Sequence, residues 1–419
     1  MPGMVRRGCC PGWPHRPWPA TSVAAGQLEE ADEDTKLGCV PDEPSSAAPY
    51  PWPAQSATGV GSMPGTDPLE TMRLVVDELP DLPFLAELPA RGPGADLTGR
   101  TAAMLVELPA ETTPRGWRLA ERPGRDLRRA QSLLARDLDA LEEVAEGFAG
   151  VLKISACGPW TLAATIELTR SQEPVLADRG AVGDLTASLA EGVAVHVAEV
   201  AARVPGARLL LQLDEPALPA VLAGAVPSAS GLNRVREVEP ADAESGLRTV
   251  LAAAGVPVLV HCCAPSVPLG MIRDAGAAAA GIDLSQLRPG EEEVLAAVVE
   301  AGLGIMAGAV PATLAPVPAR AAALATSQDI ARSAQRRSGQ QSPATAAAVR
   351  VTELWRRMGW PVAQPSGGAT SPAASVAAQV VITPACGLAG APPGYARAAL
   401  ASCREAAQML PELIEEESR

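Results

Sequence analysis

Eight short apolar runs, each set off by stretches with helical spacing, constrain this chain more than any other feature. The runs are ATGVGS (57–62), LPFLAEL (82–88), VLKISACG (151–158), ARLLLQLDEP (207–216), PVLVHCC (257–263), AAGIDLS (279–285), LGIMAGAV (303–310) and QVVITPACG (379–387). Between them, segments such as GRDLRRAQSLLARDLDALEEVAEGF and DLTASLAEGVAVHVAEVAARV place apolar residues three and four positions apart, the period of one helix face. Strand and helix in regular alternation imply parallel pairing, because parallel neighbours need a crossover that is usually a helix. Eight such units close a ring, so the expected fold is α/β, a single (β/α)8 TIM barrel. No G-x-G-x-x-G follows the first run, which counts against a doubly wound dinucleotide-binding sheet.

Composition says what must fill that barrel. Hydrophobic residues make up 47% of the 419 and aromatics only 3%, so the core is aliphatic. A formal net charge of −14 argues against a nucleic-acid partner, whose phosphates would repel it. Charges, prolines and glycines interrupt each long apolar run, so no membrane span is expected. Eight cysteines without regular spacing do not suggest a disulfide framework, and a reducing cytoplasm is the expected compartment. The opening MPGMVRRGCCPGWPHRPWP is basic but has no apolar stretch, so it does not read as a signal peptide.

Residues 1–54 show neither helical nor strand period and read as a disordered extension. Cys9, Cys10 and His15 lie in it without a second ligand pair at finger-like spacing. The barrel is expected over 55–412, interrupted by polar low-complexity insertions near 327–348 and 364–378.

The chemistry-bearing residues gather where the expected strands end. His261 is one of only three histidines and sits beside Cys262 and Cys263 at the end of the fifth run. Period-two alternation points His261 and Cys263 to one side and Cys262 to the other. Asp283 ends the sixth run and Cys386 the eighth; Asp214 and Glu215 end the fourth, Cys157 and Trp160 follow the third, and Ser62 ends the first. Barrel enzymes carry their chemistry on that rim. Cys157 and Cys403 read as core fillers. A His-x-Cys pair with a distant cysteine instead suggests Zn2+, because imidazole and thiolate are its preferred donors and three ligands leave a position open. Such an ion can keep a substrate thiol deprotonated, and the thiolate is the competent nucleophile. Activated-thiol chemistry is therefore expected, with zinc-assisted hydrolysis as the competitor.

Several blocks resemble a known family. VVITPACGLAG, LLLQLDEPAL, VHCCAP, GVGSMPGTDP and ACGPWTLAATIEL are similar to the C-terminal catalytic barrel of cobalamin-independent methionine synthase, over about residues 57–408 without the insertions. The wider superfamily includes the uroporphyrinogen decarboxylases and zinc-dependent corrinoid methyltransferases. The resemblance implies a methyltransferase of methionine biosynthesis, moving a methyl group from 5-methyltetrahydrofolate to the thiol of homocysteine held on zinc. It implies His261, Cys263 and Cys386 as zinc ligands. Ser62, Asp214 and Glu87 match positions that hold the amino-acid substrate, with Asp214 placed to grip its ammonium and counted as the candidate catalytic residue.

Two departures qualify what it implies. The family's fourth ligand is a glutamate, whereas this chain offers Asp283, one carbon shorter. After the seventh strand the family carries an Asp-x-His-Ser segment, whereas GIMAGAVPAT has no ionisable side chain. General acid help of that kind contributes about 10²- to 10⁴-fold, so a methyl-corrinoid donor, supplied by a corrinoid protein, is the alternative to the folate. The chain is read as the short, single-barrel form. The other readings are a zinc thiol alkyltransferase with a different acceptor and a barrel that has lost catalysis.

Overall fold

A computed structural model of the chain describes residues 50–313, 342–359 and 372–417. Nine strands form in them: β1 (Ala110–Thr113), β2 (Gly116–Leu119), β3 (Val151–Cys157), β4 (Ile166–Glu167), β5 (Arg208–Asp214), β6 (Val258–Cys262), β7 (Ala279–Asp283), β8 (Gly304–Val310) and β9 (Val380–Pro384). Six of them make one parallel sheet in the order β3-β5-β6-β7-β8-β9. The fold class is the one expected, α/β with parallel strands and crossover helices.

Among the described residues only six of the eight expected strands form regular members of the parallel sheet. The first two expected strands are present as segments that make single parallel bridges, Ala57 to Ile382 of β9, Ser62 to Glu87, and Phe84 to Lys153 of β3. These bridges link one edge of the six-stranded sheet to the other. Pro83 within the second segment has no N–H to give to a ladder, and glycines at 59 and 61 weaken the first, which accounts for their irregularity.

The helices follow from local signals. Asp67, Asp96 and Asp178 accept backbone N–H bonds at the starts of Pro68–Glu78, Leu97–Ala102 and Arg179–Arg203. In Arg125–Val144 the buried Leu127, Ala130, Leu134, Leu138 and Leu141 repeat at helical spacing and form its buried face. Arg179–Arg203 is apolar and long enough to cross a membrane by length and composition, contrary to the expectation that every such run is interrupted. Its most apolar window is 56% buried against the fold, as a core helix of a barrel would be.

Three boundaries differ from the sequence reading. Residues 1–49 lie outside the described residues, but Tyr50 and Trp52, assigned to the extension, stack on each other, and Trp52 is 2% exposed. The Trp52 indole N–H donates to Ala378 O at 2.9 Å. The indole closes the N-terminal end of the barrel with Leu82, Val151, Leu210, Leu259, Ala279, Met306 and Val381. The insertion expected at 327–348 ends inside helix Pro343–Arg357, which Ser342 caps; residues 327–341 lie outside the described residues. Likewise Pro372–Gln379 is helical, and 364–371 lie outside. Alanine-rich composition disguised both helices as low complexity. A short sheet, β1-β2-β4, was not anticipated.

Candidate metal centre

The register of the sheet brings the strand ends level. Cys157 of β3 pairs with Asp214 of β5, Asp214 with His261 of β6, and His261 with Gly281 of β7. Cys263 stands one residue beyond β6 and Cys386 two beyond β9. Their Sγ atoms are 3.3 Å apart and share a hydrogen bond, although 123 residues separate them. Cys262, between His261 and Cys263, is wholly buried on the other face, where burial pushes its thiol up to about 12.

The thiol pair is electrostatically asymmetric. Cys386 is pushed down to about 6, first by its hydrogen bond with Cys263 and then by His261 and the Gly387 amide, against burial. Cys263 is pushed strongly upward by the same hydrogen bond and by burial. The pair thus favours one thiolate and one thiol.

His261 completes the group. Its Nδ1 lies 2.7 Å from Asp214 Oδ1. Its Nε2 is buried and meets no hydrogen-bond partner among the described residues. An unpartnered buried ring nitrogen and a pair of thiols are the donor types that zinc takes. Among the described residues no group of three or more His, Cys, Asp or Glu side chains stands close enough together to hold a metal ion. The donors present nonetheless fit zinc in kind: two sulfurs already in contact and one imidazole nitrogen with no other duty.

Asp283 is placed differently. Its Oδ1 accepts from the Ser285 amide at 2.8 Å and the Ser285 hydroxyl at 2.7 Å, capping the turn Leu284–Gln286. It lines a separate cavity of about 230 Å³ with Ala264, Val267, Ile282, Gln286 and Glu291.

Ser62 and Glu87 meet as bridge partners. Glu87 is fully buried, accepts from Ser155 Oγ at 2.9 Å, and has its pKa raised, with burial the largest cause. Ser62 lies against Gly387, where an added Cβ would come 2.0 Å from the Ser62 hydroxyl oxygen. Gly387 therefore lets Ser62 approach the Cys386 loop, and the Leu388 amide donates to Ser62 O at 2.7 Å. Ser62 thus joins the Glu87 segment to the loop that carries Cys386.

Glu215, at the end of the fourth run, has a structural position. Its carboxylate accepts from the amides of Trp160 and Thr161, at 2.9 and 2.7 Å, and from the Thr161 hydroxyl at 2.7 Å. These bonds hold the start of Pro159–Thr165 against β5, and a Cβ at Gly158 would fall 2.4 Å from the same carboxylate. Burial raises Glu215 to about 7 against those three hydrogen bonds.

Sequence reasoning overlooked Lys153 and Gln212. Lys153 Nζ donates to Gln212 Oε1 at 2.7 Å and Val60 O at 2.9 Å, and Gln212 Nε2 donates to Asp214 Oδ1 at 2.8 Å. The signal was available: a lysine in the otherwise apolar run VLKISAC has no structural reason to be buried.

No family model and no curated protein matches the sequence. Among solved structures, the chain is similar to a B12-independent methionine synthase from Shewanella sp. W3-18-1, determined in complex with selenomethionine. The TM-score is 0.52 at 10% sequence identity, and the likeness covers 86% of this chain and 99% of that one. The two share a fold.

Proposed function

We propose that this chain is a zinc-dependent thiol methyltransferase of the methionine synthase type, with homocysteine as acceptor and methionine as product. The observation that carries the reading is the meeting of Cys263 and Cys386, from distant parts of the chain, together with the unpartnered Nε2 of His261, two residues before Cys263. Those three side chains would hold the ion, and Asp283, committed to Ser285, is the weakest of the four candidates. Zinc, when bound, would supply the charge that keeps the acceptor's thiol ionised at neutral pH. The likeness in fold to a B12-independent methionine synthase supports the same reading, as do the sequence blocks that resemble that family. A cytoplasmic setting and small-molecule substrates go with it.

The chain's own residues divide the remaining work. Asp214 Oδ1 is engaged by Gln212 and His261, so its first duty is to orient the imidazole. Ser62 and Glu87, which are bridge partners, would hold the amino-acid end of the acceptor. In the transfer a sulfur–methyl bond forms as the donor–methyl bond breaks, and the electron pair of the broken bond stays with the donor. An amine leaving group then needs a proton. Strand β8 and the residues after it, GIMAGAVPAT, offer no ionisable side chain. That observation favours a methyl-corrinoid, whose leaving group needs no proton, over 5-methyltetrahydrofolate.

Metal analysis of the purified chain should find one zinc per molecule. Methyl transfer to homocysteine should then run faster from methylcobalamin than from 5-methyltetrahydrofolate. Zinc-free protein that stays zinc-free after reconstitution would overturn the reading. Faster turnover with the folate would restore the ordinary donor.

A further inference from the structure

The ammonium of Lys153 is fully buried inside the barrel. Burial depresses its pKa to about 8, opposed by the charges of Asp214 and Glu87. Its contacts form a chain whose polarity is fixed from one end. An ammonium has donors only, so the Gln212 atom it meets, at 2.7 Å, must be the carbonyl oxygen. That turns Gln212 Nε2 toward two acceptors, Val60 O at 2.7 Å and Asp214 Oδ1 at 2.8 Å. A carboxylate only accepts, so His261 Nδ1, at 2.7 Å from the same oxygen, must bring the proton. In the neutral ring the lone pair then lies on Nε2, the one nitrogen without a partner.

We propose that Lys153 is a positioning residue which, acting through Gln212 and Asp214, fixes His261 in its Nδ1–H tautomer and leaves Nε2 open as a donor. The consequence for zinc rests on the function proposed above; the tautomer does not. Without the ammonium, Gln212 Oε1 is a buried acceptor with no donor, which is costly. The amide is then driven to another rotamer and withdraws Nε2 from Asp214. The carboxylate, no longer held by Gln212, rotates off His261 Nδ1 and releases the ring from the Nδ1–H form. Both carbon stems are unbranched, so methionine can occupy the volume of Lys153 without the charge.

The test uses the full chain labelled with 15N-histidine. Only three histidines exist, His15, His196 and His261, so single substitutions of the first two assign the third. Nitrogen chemical shifts and ring couplings of His261 should report the Nδ1–H form in the unaltered protein. In Lys153→Met the Nε2–H form should become detectable, and zinc affinity should fall about 10- to 100-fold, the usual effect of disturbing a ligand's hydrogen-bond partner. The effect should be absent when Gln212 is already severed: Lys153→Met added to Gln212→Met should change neither tautomer nor affinity further. A general packing defect would add instead. An unchanged His261 spectrum in folded Lys153→Met overturns the assignment. So does an Nε2–H signature in the unaltered protein, a result that needs no variant to fold. If the tautomer responds as described but no form binds zinc, the assignment of Lys153 stands and the proposed function fails.

Discussion

Each inward-facing row of the barrel strands changes character from one end to the other. At the N-terminal end, Val151, Leu210 and Leu259 pack on Trp52 with no polar group among them. Two residues further along the same strands stand Lys153, Gln212 and His261, and two beyond those Ser155, Asp214 and Cys263. One end is an apolar plug and the other a hydrogen-bonded set of ionisable groups, built on one backbone geometry. The strands thus separate apolar packing from ionisable groups by height along the sheet, the arrangement in which the proposed function places its chemistry. Substitutions at the two ends should therefore fail in different assays.

The largest effect is expected at the open end. Cys263→Ser or Cys386→Ser should remove stoichiometric zinc and reduce methyl transfer to background, because a hydroxyl does not ionise to a comparable ligand at neutral pH. Melting temperature should hardly move, since both side chains are only partly buried at the rim. Metal analysis and a thermal melt on the same sample make the comparison. A large loss of stability with zinc retained would show that the thiol pair is core and that the division by height is wrong.

The converse experiment addresses the plug. Trp52→Ala should cost about 3–5 kcal/mol of unfolding free energy, the range for deleting a large buried aromatic. Zinc stoichiometry should be unaffected wherever the protein remains folded. Truncation separates the same residue from what precedes it. Removing residues 1–54 should destabilise the chain relative to removing 1–49 by about the cost of Trp52→Ala, since only the longer cut deletes the indole. Denaturant midpoints of the two truncations measure it, and equal midpoints would refute the plug.

Trp52 also shows where sequence reading runs out. An aromatic in a proline-rich segment without period gives no sign of burial, because its partners come from Leu82 and from strands up to β9. The open end was more legible. Parallel strands must start and stop together, so residues at the ends of successive apolar runs meet whatever their separation in sequence, and Cys263 and Cys386 meet across 123 positions. Lys153 stood out as a charge in an apolar run, but its partners behind His261 were illegible, since nothing in a run such as QLD says which neighbouring strand carries the lysine. Asp283 shows the opposite limit: a correct place on the rim does not fix a side chain's partner, and Ser285 two residues on claimed it.

A third difference concerns the two buried histidines of the described residues. His261 has a carboxylate on one nitrogen, whereas neither nitrogen of His196 has a hydrogen-bond partner. Burial, with Arg100 nearby as the second cause, lowers His196 to about 3. As pH falls below about 6.5 the unfolded chain takes up a proton that the folded chain refuses until about pH 3. Stability conferred by the neutral ring is thus present above pH 6.5 and lost as pH falls. One proton contributes a slope of about 1.4 kcal/mol per pH unit in that window. His196→Leu should flatten the difference between denaturation curves at pH 6 and pH 4 by that slope. Identical slopes in the two proteins would mean that His196 takes up its proton in the fold.

The smallest effect is expected one residue from the largest. Cys262 and Cys263 are adjacent, and strand alternation allows only one of them to face the barrel mouth. In β6 the buried Cys262 belongs to the outer face, and Cys263 meets Cys386. Cys262→Ala removes one sulfur from a packed surface and should cost about 1 kcal/mol. It should keep full zinc and full transfer, while Cys263→Ala loses both. The pair of variants tests orientation with composition held nearly constant, because each deletes one thiol from the same dipeptide. Zinc retained in Cys263→Ala and lost in Cys262→Ala would require a bulge that shifts the register by one residue. His261 would then turn away from Asp214, and the open end of the barrel would have to be rebuilt around Cys262.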